Sequence, residues 1–318
     1  MIEELERAVR AVVVDCLGVA AGEDVLVICN PATRNIGERM RAAAEAAGAD
    51  ATLALIAERA SHAAEPPRSV AAAMAQADVA LAPTVQSLSH TAARKAASEA
   101  GVRIATLPGV TEEMLARVMS ADMEGLRRKG AAVADALTRG SEARIACVRG
   151  CDLRLGLGDR EAIPDAGELR ERGAFGNLPC GEGFIAPLEG TTEGTLVIDG
   201  SIAGIGLLAE PVTLRVEAGH LVDAGGAAGA RLMELLTGHG SQGTNVAELG
   251  IGTNEKAILT GEVLEDEKIL GSCHVAFGAS AAIGGTVQVP VHLDCVAMRP
   301  RVSVDGTTLV DGGELLVG

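Results

Sequence analysis

The chain contains no tryptophan and no tyrosine, and only three phenylalanines among its 318 residues. Chemistry that needs a phenol therefore cannot come from this sequence. No C-x-x-C occurs, and the seven cysteines are an odd, scattered set. That pattern fits reduced thiols in a cytoplasmic protein, most of them buried as small apolar side chains. No apolar run reaches the ~18 residues that a membrane-spanning helix needs. The start, MIEELERAVRAVVVDC, is acidic and amphipathic, which is not the pattern of a signal peptide. Basic residues are also scarce: 27 Lys and Arg against 43 Asp and Glu give a net charge of −16. Nucleic acid and anionic membrane surfaces, both of which require Lys/Arg patches, are excluded as expected partners. A cationic ligand, such as an amine or a metal ion, suits this field, although an acidic surface also serves solubility alone. Glycine-rich phosphate loops are missing too. The first apolar strand is followed by NPATRN, and neither a P-loop nor a dinucleotide fingerprint follows an early strand.

What is present is a hydrophobic share of 48%, ample for real cores, in a length that suggests two domains. In the first part, short apolar strands alternate with Ala-rich helices. Strands are expected at 24–29, 51–56, 78–82 and 102–107. Helices are expected at 3–16, 36–47, 69–75, 91–100 and 111–137, the last broken near Gly125 or Gly130. This alternation predicts an α/β domain over 1–140 with a doubly wound, mostly parallel sheet. Ser87-Leu88-Ser89-His90, after the third strand, is either the cap of the next helix or a substrate contact. Beyond Gly140 the texture changes to short alternating strands with frequent glycine. Residues 141–318 are expected to form a β-rich α+β domain, with 159–179 as a loop or short helix.

Within that second domain, 273–295 reads CHVAFGASAAIGGTVQVPVHLDC, a β-hairpin with strands over 268–277 and 286–296. Side chains two apart on a strand share a face. His292 and Asp294 are thus aimed at one place, and His274 can join them from the partner strand. Imidazole with carboxylate is a donor set for zinc, manganese or iron; alone, an H-x-D is as readily a hydrogen-bonded pair. Two further acids sit in apolar settings, Glu182 in PCGEGF and Glu248 in VAELGIG. A charge in such a run is costly unless paired or coordinated, and for Glu248 the nearby Lys256 and Lys268 are alternative partners. Three carboxylates and two imidazoles exceed one tetrahedral zinc site and suit two divalent ions ~3.5 Å apart. Cys273 and Cys295 adjoin His274 and Asp294, so they face the other way and read as core.

The segments GNLPCGEGFIAP, NVAELGIGTN, EDEKILGSCHVAFG and VPVHLD resemble the aminopeptidase T / aminopeptidase S family of metallopeptidases, through most of residues 177–312. The resemblance implies two metal ions (Zn, Co or Mn) held by Glu182, Glu248, His274, His292 and Asp294. It also implies a homodimer and the release of N-terminal residues from a small peptide or amide. Family members carry a tyrosine after the single histidine, where this chain has Ala279-Ser280-Ala281-Ala282. The same fold is similar to Fe(II)-dependent ring-cleaving dioxygenases of the 2,5-dihydroxypyridine type. Those use a His/His/Asp set, with histidine where this chain has Glu248. The leading expectation is therefore a cytoplasmic, dimeric metalloaminopeptidase-like hydrolase. Glu189 is its candidate proton shuttle, or else a turn residue in Leu188-Glu189-Gly190. The alternatives are a mononuclear Fe(II) dioxygenase and a metal-binding homologue without turnover.

Overall fold

The computed structural model describes residues 2–318. By its internal contacts the chain divides into two compact units: the stretch up to Met123 with Gly167–Cys180, and Glu124–Ala166 with Gly181–Gly318. The expected boundary near residue 140 departs from this division in two ways. The helix before residue 140 belongs with the β-rich unit, and a segment beyond it returns to the α/β unit.

In chain order the first unit begins with α1 (Ile2–Arg10), which continues into a π-helical turn (Ala11–Cys16). There follow β1 (Asp24–Cys29), α2 (Arg34–Ala46), β2 (Asp50–Leu55), α3 (Arg68–Met74) and β3 (Val79–Ala82). Next come α4 (Ala92–Glu99), β4 (Arg103–Thr106) and α5 (Glu112–Val118). The helices start where their caps are. Thr91 accepts the Arg94 N–H at α4, and Thr111 accepts the Met114 N–H at α5, as N-terminal hydroxyls do.

The chain then runs through α6 (Met123–Arg139), β5 (Glu142–Ala146), β6 (Asp152–Gly156) and β7 (Ile163–Asp165), and through β8 (Phe175–Asn177) of the first unit. The long helix expected over 111–137 is thus two, α5 and α6. The break lies at 119–122 rather than at Gly125 or Gly130, which are buried within α6. The loop expected at 159–179 holds two three-residue strands. One of them, β8, completes a fully parallel sheet of order β2-β1-β3-β4-β8. One of its interior strands, β1, is buried at every position after Asp24, as an interior strand of a parallel sheet is.

The rest is β9 (Glu182–Ile185), β10 (Glu193–Ile198), β11 (Ser201–Ile202), β12 (Gly206–Leu207), β13 (Val212–Glu217), β14 (His220–Ala224) and α7 (Gly226–Thr237). It ends with β15 (Val246–Gly252), α8 (Val263–Asp266), β16 (Cys273–Gly278), β17 (His292–Ala297), β18 (Arg301–Val304), β19 (Thr307–Asp311) and β20 (Glu314–Leu315). These strands form two antiparallel sheets, β14-β13-β10-β6-β5-β18-β19-β20 and β12-β11-β17-β16-β15-β9-β7. One apolar cluster joins them, with Leu153, Leu196 and Leu214 from the first and Leu249, Val275 and Phe277 from the second. Val133 and Leu137 of α6 belong to the same cluster, which is why that helix goes with this unit. Among the described residues, no helix is long and apolar enough to cross a membrane.

The hairpin is real but shorter than expected. β16 begins at Cys273 rather than at Lys268, and β17 at His292 rather than at Thr286. A long connection, residues 279–291, joins them.

Candidate metal centre

Strand alternation separates chemistry from core in the seven-stranded sheet. The register pairs Gly252 with Glu182, Gly250 with His274, Glu248 with Ala276, Ala276 with Asp294 and Gly278 with His292. Cross-strand partners share a face, so all five expected donors lie on one side. Leu249, Val275, Phe277, Cys273 and Cys295 take the other and join the apolar core. Burial pushes both thiols well above their usual range. They are core residues, as expected, and not thiolate ligands.

On the donor face the residues between the ligands are glycine and alanine, and that leaves room for them. Gly250 shows why. A Cβ there would run into Cε1 and Nε2 of the His274 ring. The glycine of the Glu-Leu-Gly segment is thus the floor on which the histidine lies.

The donors converge in two groups, Glu182/Glu248/His274 and Glu248/His292/Asp294, each with one ligand atom per residue within 4.8 Å of the others. Glu248 belongs to both. Its Oε1 is 3.2 Å from His274 Nε2 and its Oε2 is 3.4 Å from His292 Nε2. His292 Nε2 is also 3.5 Å from Asp294 Oδ1, and its Nδ1 is 2.7 Å from the carbonyl of Ala279. Glu182 Oε2 is buried without a hydrogen-bond donor, 3.2 Å from His274 Nε2. A buried acceptor of that kind is what a cation would satisfy, so these residues fit a divalent metal.

The charges around the site have clear causes. Burial would raise the Glu248 carboxyl, but hydrogen bonds from both imidazoles outweigh it and hold the group down at about 2. Acting against burial, the bond to Glu248 lifts His274 to about 9, and Asp294 together with Glu248 lifts His292 well above its usual value. Without metal, the imidazoles therefore carry protons that an incoming ion must displace.

Sequence reasoning missed a second layer. Lys268 is fully buried, with Nζ 2.8 Å from Glu182 Oε1, 2.6 Å from Glu267 Oε1 and 3.7 Å from Asp165 Oδ2. It pairs with these acids and not with Glu248. Three buried acids share one ammonium. Burial, together with their mutual repulsion, raises Glu182 to about 8, Asp165 to about 6 and Glu267 above its usual range. Lys268 is held charged by them in spite of its burial. The signal available in sequence was the run Glu265-Asp266-Glu267-Lys268, four charges placed just before an apolar strand.

Glu189 has partners away from the two groups: Arg160 Nη2 at 2.6 Å, the Thr286 N–H at 2.7 Å and Ser280 Oγ at 3.4 Å. In the α/β unit, Thr91 caps α4, not Ser89 or His90. Ser89 Oγ instead sits in a buried cluster with Ser87 Oγ, Thr106 Oγ1 and Asn177 Oδ1, at 2.8 to 3.0 Å.

Comparison with known proteins follows the same division between fold and chemistry. The structure of 2,5-dihydroxypyridine dioxygenase from Pseudomonas putida superposes with a TM-score of 0.85 at 20% identity, covering 99% of this chain and 97% of that one. AmpT from Thermus thermophilus superposes with a TM-score of 0.74 at 18% identity, covering 99% and 100%. At these identities both likenesses are likenesses of fold. In sequence, a curated 2,5-dihydroxypyridine 5,6-dioxygenase of Pseudomonas putida is 24% identical over 220 residues. That match spans 64% of this chain and 62% of the relative's own length. The expected class, a hydrolase of the metalloaminopeptidase or metalloprotease kind, is corrected by these matches: the family and the curated relative are oxidoreductases, and the peptidase resemblance extends to the fold only. Residues 4–317 match the model of the family described as NicX, 2,5-dihydroxypyridine 5,6-dioxygenase, and the chain belongs to that family.

Proposed function

We propose that this protein is a metal-dependent dioxygenase that opens the ring of a small hydroxylated nitrogen heterocycle of the 2,5-dihydroxypyridine type. The observation that carries the reading is the convergence of two imidazoles and three carboxylates on one sheet face, in a chain matched to that family over 4–317. Mixed nitrogen and oxygen donors with no thiolate suit Fe(II). Glu248, His292 and Asp294 are the first choice of site. Glu182 of the other group already bonds Lys268, and the His274 side chain is 0% exposed against 14% for His292. Glu182 and His274, with Glu248 in common, would be the residues to hold a second ion, and metal analysis gives the count. When bound, the ion supplies the one-electron chemistry that reaction with dioxygen needs.

The chain's own residues do the rest. The Ala279 carbonyl fixes the His292 ring, and Glu248 holds both imidazoles through separate oxygens. Lys268 keeps Glu182 in place. A homodimer is part of the reading. The test is anaerobic loading with Fe(II), then addition of 2,5-dihydroxypyridine and air. Stoichiometric oxygen uptake with loss of the substrate's ring absorbance is expected. A chain that binds iron yet consumes no oxygen with this or related dihydroxylated heterocycles would sink the reading.

A further inference from the structure

We infer that Glu189 and Arg160 form a strut that fixes the pose of His292, which makes Glu189 a positioning residue of the metal centre. The inference rests on the metal-dependent reading above. The path runs through the connection between β16 and β17. At its start, the Ala279 carbonyl accepts from His292 Nδ1 at 2.7 Å. A carbonyl only accepts, so Nδ1 carries the hydrogen, and in the neutral ring the free lone pair is on Nε2, facing Glu248 and Asp294. Where Ala279 lies therefore decides which way the imidazole points.

Ala279 donates its N–H to the Val291 carbonyl at 2.8 Å, but the rest of the connection has little regular structure. Its one regular element is a short 3-10 turn, Ala281–Ile283, and it folds back on itself through Ser280. That residue's Oγ accepts the Val287 N–H at 3.2 Å, and its own N–H donates to the Val287 carbonyl. The outside support comes from Glu189 and Arg160. Glu189 Oε1 accepts the Thr286 N–H at 2.7 Å and the Ser280 hydroxyl at 3.4 Å. Glu189 Oε2 takes Arg160 Nη2 at 2.6 Å, and Arg160 Nη1 donates to the Gly284 carbonyl. Both side chains are mostly buried, Arg160 at 15% and Glu189 at 26% exposure. Burial works against the Glu189 charge, but the Thr286 N–H and Arg160 win, and the carboxyl lies below its usual range. The fit is close: a Cβ at Gly285 would collide with Ser280 Oγ and come within 3.1 Å of Glu189 Oε1. Without the carboxylate, the Thr286 N–H loses its acceptor and Arg160 keeps only the Gly284 carbonyl, so the connection that follows Ala279 is held less firmly.

The test uses the full chain stripped by chelator and titrated with Co(II), whose visible absorption reports ligand geometry. Glu189→Ala is expected to bind about tenfold more weakly than wild type, the lower end of what outer partners of metal ligands contribute, and to show an altered band. Glu189→Gln, whose amide oxygen can still accept from Thr286, is expected to fall between them. Glu234→Ala, an exposed acid on α7, serves as the control and should match wild type. The near-isosteric glutamine variant keeps the test decisive if the alanine variant does not fold. Wild-type affinity and an unchanged band in both Glu189 variants would overturn the strut while leaving the metal reading intact. A wild-type chain that takes up no cobalt would overturn the metal reading, and the strut with it.

Discussion

Glu182 and His274 lie deep in the seven-stranded sheet, beside a buried lysine and two more acids. His292 and Asp294 lie at the end of the same sheet, where a strand gives way to a long connection, and their side chains are 14% and 12% exposed. Glu248 is common to both groups. The deep group is braced by charge and rigid backbone, and the outer group by a loop held from outside. The contrast teaches that one carboxylate can serve two environments. The deep one is a buried network of ion pairs, and the outer one is a partly exposed strand end.

The largest effect should come from removing what the two groups share. Glu248→Ala is expected to abolish uptake of Fe(II) or Co(II), a loss beyond the ~100-fold that outer partners cost, as measured by metal analysis and titration. If instead it spares one ion per chain, the two groups are independent. Lys268→Met comes next and acts on the deep group alone. It leaves three buried acids without their cation, and a loss of about 3–5 kcal/mol is expected in urea unfolding of the metal-free protein. A change below 1 kcal/mol would mean that the acids simply protonate and that the lysine is dispensable. Gly250→Ala should cost about 1–3 kcal/mol, as overpacking does, and should weaken cobalt binding, because the His274 ring must move. Retention of wild-type affinity would show that the ring has other room.

The last test is one of pH. His274 has a folded value of about 9 against 6.5 in the open chain, so the fold prefers its protonated form. That contribution is complete below pH 6.5 and is lost as pH rises through about 9. Glu182, raised from 4.5 to about 8, acts in the same direction between those values. The metal-free protein should therefore unfold at lower urea concentration at pH 9 than at pH 6. Ion binding must displace these protons, so cobalt affinity should rise over the same interval, with proton release visible as a dependence of binding heat on buffer. A flat profile for both would remove the imidazoles from the site.

Much of the donor face was legible because strand parity is a local property. H-x-D at 292–294 and a histidine at 274 needed only period two, and the adjacent cysteines fell to the opposite face by the same rule. Lys268 was not legible as the partner of Glu182. The strand expected from residue 268 begins only at Cys273, and the Lys268 carbonyl accepts the Asn254 N–H, a pairing that no local pattern encodes. The chemistry was also misread. Five donors suited two ions in a hydrolase, and a donor set held in common by different reactions does not choose between them; the family match does. The strand Phe175-Gly176-Asn177 was invisible for another reason. Three residues with one large apolar side chain carry no β signal, and they become a strand only by pairing with β4.

That short strand has a consequence for how the protein can be made and cut. The α/β unit cannot finish its sheet until residue 177 has left the ribosome, by which time the first hairpin of the other unit, β5 and β6, has already been synthesised. A fragment ending at residue 140 would expose the Ile104 edge of β4 to solvent and keep a helix whose apolar side chains belong elsewhere. Neither half can be expressed as a clean piece by a single cut, and any separation of the two would need the return segment grafted back.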